Sequence, residues 1–496
     1  MAVGTTGLSQ RIGSVLSIDG SAPAIEFDGC WRSWGDLAST VHSVARVLPE
    51  PGTPVGVVLR SRPIPVGLLL GVLRAEGCVV AINPQRGLER TRQDIAELDL
   101  PFIAGETRDL DALVGDRPRS ALISATDLGQ GSDVTVATHP RAVRPQPGIA
   151  VRMLTSGTTG PPKRVDLRYE TLERVLAGAK HYETGGEAGP ILRKGVAVVN
   201  SPLVHLGGLF RVLQCINDGR SFSLLERFTV EEWVSAVRRH RPKTVSLVPA
   251  ALRMVLEADP DTEDLSSVRS VVSGTAPLSP EDADAFTARY GIPVLVSFAA
   301  TEFGGGVAGW NLRDYREHWA HKRGSVGRAH PGCELRIVDP GSGRPMGPGQ
   351  EGLLEVKAGQ LGADAPWIRT TDLARLDEDQ FLFIVGRADQ AIIRGGFKVH
   401  PDDVRAALER HPRVRGAAVV GVADPRLGAV PVAVVELRPG PSVGTDELIS
   451  FISHTLARYE LPTKVILVDT LPRTPSAKVD LSVIRDLVAE PGTGAG

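Results

Sequence analysis

The chain has 496 residues, of which 42% are hydrophobic and 23% charged, with a formal net charge of -2. That is apolar material for large cores and, at roughly 150 residues per domain, length for about three domains. It excludes a disordered or fibrous chain, and the lack of a basic excess argues against a nucleic-acid partner. The four cysteines, Cys30, Cys78, Cys215 and Cys333, form no CxxC pair and have no histidine at ligand spacing, so neither a zinc site nor a disulfide framework is expected. The first residues lack an apolar signal core, and the best apolar run, Ile64 to Leu73, is too short to span a bilayer and is followed by Arg74. The expectation is a cytoplasmic protein with no membrane partner.

Taken in chain order, short runs rich in Val, Ile and Leu alternate with helix-like segments. PVGVVL precedes the 65–75 stretch, CVVAIN precedes LERTRQDIAELDL, TVSLVP precedes AALRMVLEAD, and SVVSG precedes SPEDADAFTARYG. This alternation predicts layered α/β sheets, largely parallel, with ligands at the carboxyl ends of strands. Past Pro331 the strands ELRIVDP, GLLEVKAG and FLFIVGR are joined by Gly/Pro turns, which predicts a small antiparallel, barrel-like sheet. A new unit begins just after Gly386-Arg387. It reads as helix (HPDDVRAALERHP), strand (VRGAAVVGVAD), strand (VPVAVVELRPG), helix (TDELISFISHTLARYELP) and strand (KVILVDTLP), with a frayed tail. The fold class expected is α/β: a large N-terminal domain, 1–388, of layered sheets plus the small sheet, and a smaller, mobile α+β C-terminal domain, 389–496.

The strand GIAVRML runs into Thr155, Ser156, Gly157, Thr158, Thr159 and Gly160, then Pro161-Pro162 and Lys163. Glycines let backbone N–H groups approach an anion, hydroxyls add donors, and the lysine supplies a mobile positive charge. The loop suits phosphates, yet it is not a Walker A loop: no Ser or Thr follows Lys163, and the proline pair removes N–H donors. Only nine of the 56 basic residues are lysines, Lys163 and Lys478 among them.

On this loop the chain resembles the adenylate-forming superfamily of acyl- and aryl-CoA synthetases, peptide-synthetase adenylation domains and luciferases. The likeness continues in order through Ser273-Gly-Thr-Ala-Pro277, Phe298-Ala-Ala-Thr-Glu302, Gly324-Ser-Val-Gly, Thr370-Thr-Asp372, Gly386-Arg-Ala-Asp389, Gly395-Gly-Phe-Lys-Val and Pro472-Arg-Thr-Pro-Ser-Ala-Lys478. The resemblance implies ATP, Mg2+ and coenzyme A as cofactors. It assigns the loop from Thr155 to Lys163 to the β- and γ-phosphates, Thr301 to the α-phosphate and Glu302 to the metal. Gly274, Thr275, Ala276, Pro277, Phe298 and Ala299 would surround the adenine. Asp372 would accept from the ribose hydroxyls, Arg387 would reach ribose or phosphate, and Lys478 would neutralise the reacting oxygens. Asp389 would be the hinge of a swinging C-terminal domain that presents Gly395 and Gly396 beside a pantetheine tunnel.

Ser201-Pro-Leu-Val-His205 resembles the segment that places a His or aromatic at the acyl pocket, and Gly304 would leave room for the acyl group. No acidic residue lies between Val204 and Asn217, which counts against an amino-acid substrate. The implied reaction is carboxylate plus ATP to acyl-adenylate, then CoA to the thioester. Delivery to a carrier protein and a catalytically silent, ligand-binding chain are the alternatives, and a homodimer is left open. Four departures stand out: Arg164 and Ala477 each replace a glycine, Phe298-Ala299 replaces Tyr-Gly, and Thr371 occupies another glycine position, where a positive φ would strain a β-branched residue. Six residues after Arg387, where some relatives place a second functional lysine, stands Ile393.

Overall fold

The computed structural model describes residues 7–114, 120–129, 135–137, 142–155, 163–179, 190–395, 397–474 and 478–489. The expected strand–helix pairs build a seven-stranded sheet in the spatial order Thr135–Ala137, Ala121–Ala125, Phe102–Glu106, Pro54–Val58, Cys78–Ile82, Ile149–Thr155, Lys163–Arg168. The inner strands pair in parallel and both edge strands antiparallel. Pro54–Val58, Cys78–Ile82 and Phe102–Glu106 are buried at every position. Covered on both faces, they read as near-continuous apolar runs, with the buried Glu106 ending the third.

A second sheet joins Thr244–Ser246, Ser270–Ser273 and Val294–Ala300 in parallel and continues antiparallel through Gly305–Gly309 and Arg328–Ala329. A third, Arg193–Val199, Arg220–Leu224, Pro23–Phe27 and Cys30–Ser33, pairs the start of the chain with strands far along it. The turns after Pro331 shape an antiparallel sheet of Glu334–Val338, Gly352–Lys357, Ile368–Leu376 and Leu382–Arg387. This large N-terminal domain holds the matching apolar clusters between its sheets and helices.

The small C-terminal domain is built on Val414–Asp424 and Gly428–Leu437, paired over most of their length, with Lys464–Val468 parallel to the second strand. Alternate residues take opposite faces: Ala417, Val419, Ala433 and Val435 enter one apolar cluster, Ala418, Val420, Val432 and Val434 another. Two details differ from expectation. The helix foreseen through Pro462 is Thr445–Ser453, because the Arg394 guanidinium donates to the carbonyls of Tyr459 and Leu461 at 2.8 and 2.9 Å and holds that stretch in a non-helical path. A further helix, Leu481–Ala489, precedes the tail and packs Ile484 on the second cluster. Among the described residues no helix is long and apolar enough to cross a membrane.

Candidate active site

Strand ends bring the candidate residues together, as parallel α/β layers do. Strand Val294–Ala300 carries Phe298 and Ala299 and passes into a 3-10 turn, Thr301–Phe303, closed by the Gly304 amide donating to the Thr301 carbonyl at 2.9 Å. Gly304 has φ 73°, and a Cβ there would lie 2.5 Å from Thr171 Cγ2, so both conformation and space require glycine. Glu302 is exposed at the tip, while Phe298 packs on Phe303 with ring centroids 6.4 Å apart.

One strand over, Ser270–Ser273 leads into Gly274, Thr275, Ala276 and Pro277 before the Ser279-capped helix Pro280–Tyr290. Thr275 sits at φ 71°, a left-handed position costly for a β-branched residue and of the kind that collects at ligand sites. A Cβ on Gly274 would meet Ser297 Oγ at 2.9 Å. The buried Ser273 Oγ has no hydrogen-bond partner among the described residues.

From the small antiparallel sheet come Asp372 and Arg387, cross-strand partners in register, with Arg387 Nη1 3.9 Å from Asp372 Oδ1. Arg387 grips Asp389 through Nε and Nη2, at 3.0 and 2.8 Å. Burial pushes the Asp372 carboxyl above its ordinary range, and Arg387 opposes that rise. Thr371 lies inside the extended strand Ile368–Leu376 and is not at positive φ, so the strain foreseen for it does not arise.

Lys478 arrives from the other domain. Thr474 N–H donates to the Lys478 carbonyl at 2.7 Å, Asp480 N–H to the Pro472 carbonyl at 2.8 Å, and Arg473 bridges Val479; Ala477 lies outside the described residues. Burial draws the ammonium's pKa below its ordinary value, Arg387 lowers it further and Glu302 raises it. Among the described residues no carboxylate reaches it at ion-pair distance. His205 stands at the N-cap position of the helix Leu206–Asn217 without a side-chain capping bond, its Nε2 sealed from solvent and unpartnered among the described residues; burial first, then Lys478, pushes its pKa down to about 4. The entry turn is tight: a Cβ on Gly208 would meet the Ser201 and Pro202 carbonyls at 2.4 and 2.2 Å.

The structure therefore gathers Glu302, Asp372, Arg387, Asp389, Lys478 and His205 into one electrostatic neighbourhood. Thr155 and Lys163 are cross-strand partners at the edge of the seven-stranded sheet; Ser156, Gly157, Thr158, Thr159 and Gly160 lie outside the described residues. Arg164 is explained: its guanidinium donates to both Asp94 oxygens at 2.6 and 2.7 Å and to the Ala81 carbonyl at 3.1 Å, tying the edge strand to the helix Leu88–Leu98. Gly395, at φ 57°, donates to the Leu427 carbonyl within the C-terminal domain; Gly396 lies outside the described residues. Ser273 opens the segment Ser273-Gly-Thr-Ala-Pro277 that carries part of the resemblance, and one further bordering residue has no signal in the sequence. His330 lies against the glycine strand, 3.1 Å from where a Cβ on Gly306 would sit, and no local pattern announces that.

A single charged neighbourhood, assembled from strand ends of one domain and a lysine turn of another, invites comparison with known proteins. Residues 18–362 match the family model described as AMP-binding enzyme, and residues 403–478 match AMP-binding enzyme C-terminal domain. The chain belongs to the AMP-binding enzyme family. It is 29% identical over 423 residues to 4-coumarate–CoA ligase 3 of Oryza sativa subsp. japonica, covering 82% of this chain and 73% of that one. It is 28% identical over 515 residues to indoleacetate–CoA ligase of Aromatoleum aromaticum, covering 97% and 98%. The fold of this AMP-binding enzyme is also that of ATP-bound MatB from Rhodopseudomonas palustris, with TM-score 0.81, 24% identity and 97% and 99% of the two chains covered.

Proposed function

We propose that this AMP-binding enzyme is an ATP-dependent carboxylic acid:CoA ligase, and that an acyl-adenylate formed with pyrophosphate release is then captured by the CoA thiol. The observation that carries the reading is the Lys478 ammonium, half-buried beside Arg387, Glu302 and His205 and without a carboxylate partner among the described residues. A partly desolvated cation left uncompensated is costly unless a ligand brings negative charge. The ligase names of the two relatives support the same reaction.

The chemistry follows from the residues. A carboxylate resists nucleophiles until one oxygen becomes a good leaving group, and attack on the α-phosphorus of ATP supplies that group. Negative charge then accumulates on phosphoryl oxygens, where preorganised cations are worth most. Lys478 would stabilise the reacting oxygens, Thr301 would donate to the α-phosphate, and Thr155 through Lys163 would hold the β- and γ-phosphates. Asp372, in register with Arg387, would accept from the ribose hydroxyls. Gly274, Thr275, Ala276, Pro277, Phe298 and Ala299 would line the base, with the unpartnered Ser273 hydroxyl nearby. The exposed carboxylate of Glu302 is a hard oxygen donor of the type Mg2+ takes, and the ion would shield phosphate charge when bound.

His205, kept neutral by its surroundings, would face the acyl group; the space beside Gly304, which the sequence suggested for that group, is filled by Thr171. Both relatives are named for aromatic acids, so an aryl carboxylic acid is the substrate class we favour. Asp389 would be the hinge between 1–388 and 389–496, moving Lys478 out and Gly395 and Gly396 in for the thioester step. The reading places the protein as a cytoplasmic enzyme, consistent with four free thiols.

Pyrophosphate release over a panel of aryl-propenoic, aryl-acetic, fatty and amino acids, with CoA or a phosphopantetheinyl carrier protein as acceptor, tests the proposal, and size-exclusion chromatography tests for the homodimer. Lys478→Ala should cut adenylation by at least ~100-fold, the scale for one preorganised charge, while thioester formation from supplied acyl-adenylate survives. Equal loss of both half-reactions in a folded variant would strip Lys478 of its role.

A further inference from the structure

The helix Pro249–Ala258 of the large domain carries Arg253 and Glu257 one turn apart, hence on one face. Both reach the small domain, in crossed sense. Arg253, held by Asp282 at 2.6 Å, lies 3.3 Å from Glu409, which Arg405 also engages at 2.7 Å. Glu257 accepts from Arg415 at 2.7 Å and from Arg438 at 3.4 Å. A cation meets an acid and, one turn on, an acid meets cations; a shift of one turn would set like charge against like. These pairs favour one docking register, which complementary charges do better than they add raw affinity.

The second contact does not end at the interface. Arg415 Nη1 also lies 2.9 Å from Glu436, whose side chain is 2% exposed. The other Glu436 oxygen accepts from the Leu471 amide at 2.9 Å and lies 3.6 Å from Arg473. A carboxylate this buried must be satisfied, so it fixes both Arg415 and the Leu471–Arg473 segment. That segment pairs with the Lys478–Asp480 stretch through the Arg473–Val479 bridge and the Asp480 amide. An unbroken line of polar contacts thus runs from Glu257 through Arg415 and Glu436 to the turn that carries Lys478.

On the ligase reading above, we propose that Glu257, Arg415 and Glu436 are positioning residues for adenylation: docking of the small domain on the 249–258 helix places the Lys478 ammonium in the site, and thioester formation does not depend on it. Atoms of these three residues touch Lys478 only through the chain, so their effect must appear in the placement of the ammonium and in one half-reaction.

Glu257 can be changed with little risk to the fold, because its side chain lies at the surface of its helix, 26% exposed. Glu257→Lys sets a third cation against Arg415 and Arg438. Using the panel acid with the fastest pyrophosphate release, single-turnover adenylation should fall by about tenfold or more, the scale for displacing a catalytic group by a fraction of an ångström. Thioester formation from the preformed acyl-adenylate and CoA should stay within about twofold. Raising ionic strength from ~0.05 to ~0.5 M should recover part of the loss, since screening weakens a repulsion between partly exposed charges, whereas a merely destabilised fold would not respond so. Glu257→Asp should restore most of the rate. Glu436→Gln, if it folds, should show the same split with the interdomain pair intact.

Equal loss in both half-reactions, or unchanged adenylation in Glu257→Lys while Lys478→Ala still loses it, overturns the positioning role alone. Absence of pyrophosphate release by the wild type with every acid overturns the ligase reading instead.

Discussion

His205 offers a test that needs no substrate. An exposed histidine titrates near 6.5, and burial, aided by Lys478, brings this one to about 4. On acidification the unfolded chain takes up the proton first, so the stability supplied by a neutral His205 is complete above the unfolded pKa and drains away as pH falls from 6.5 toward 4. By linkage the loss is ~2 kcal/mol at about pH 5, from 1.36 kcal/mol per pKa unit over the part of the interval already crossed. His205→Gln keeps a neutral polar side chain and removes the titration. The six tryptophans, Trp31, Trp34, Trp233, Trp310, Trp319 and Trp367, all precede residue 388, so urea unfolding followed by their fluorescence reads the large domain apart from the small one. The stability gap between variant and wild type should move by ~2 kcal/mol in the variant's favour between about pH 7.5 and pH 5. A gap that stays constant within ~0.5 kcal/mol would refute the reasoning, because His205 would then titrate alike in both states. Lys478→Met should shrink the acid-side loss, since it removes the second cause of the shift.

Arg164→Gly, which restores the residue usual in the superfamily, should destabilise the large domain by roughly 3 kcal/mol by leaving Asp94 half-buried and unpaired; urea midpoints of Arg164→Gly and of Arg164→Gly with Asp94→Ala check it, the double variant recovering much of the loss. Asp389→Pro fixes φ near -65° at the proposed hinge, and Asp389→Ala removes only the ion pair with Arg387. Thioester release should be slower in the proline variant by about tenfold, ~1.4 kcal/mol in barrier, with adenylation alike in the two; equal thioester rates would move the hinge elsewhere.

Local pattern and composition carried the parts of the fold that local forces dictate. Strand–helix alternation at 54–98 and 244–290 and the Gly/Pro turns after Pro331 announced the layers and the small sheet, because apolar runs and turn residues act within a few positions. The pairing of Pro23–Phe27 with Arg220–Leu224 could not be read, since it rests on distant strands sharing a core. Nor could the end of the helix at Ser453, beyond which Arg394, far back in sequence, holds the carbonyls of Tyr459 and Leu461. At the candidate site, resemblance supplied the residues, and their arrangement came from long-range contacts: the Asp372–Arg387 register, the approach of Lys478 to His205, and the sealed imidazole. The departure at Arg164 looked like a lost glycine and is a gained ion pair.

The strands Val414–Asp424 and Gly428–Leu437 bury both of their faces inside the small domain. Among the described residues nothing in that core is borrowed from the large domain, so a turn of the small one would open no apolar interior of its own. Of the charge pairs that cross between the domains, Glu257 with Arg415 and Arg438 is partly wetted, while Arg253 with Glu409 is largely buried. On the proposed hinge at Asp389, the body that carries Lys478 would turn as a solid object and keep its own core intact.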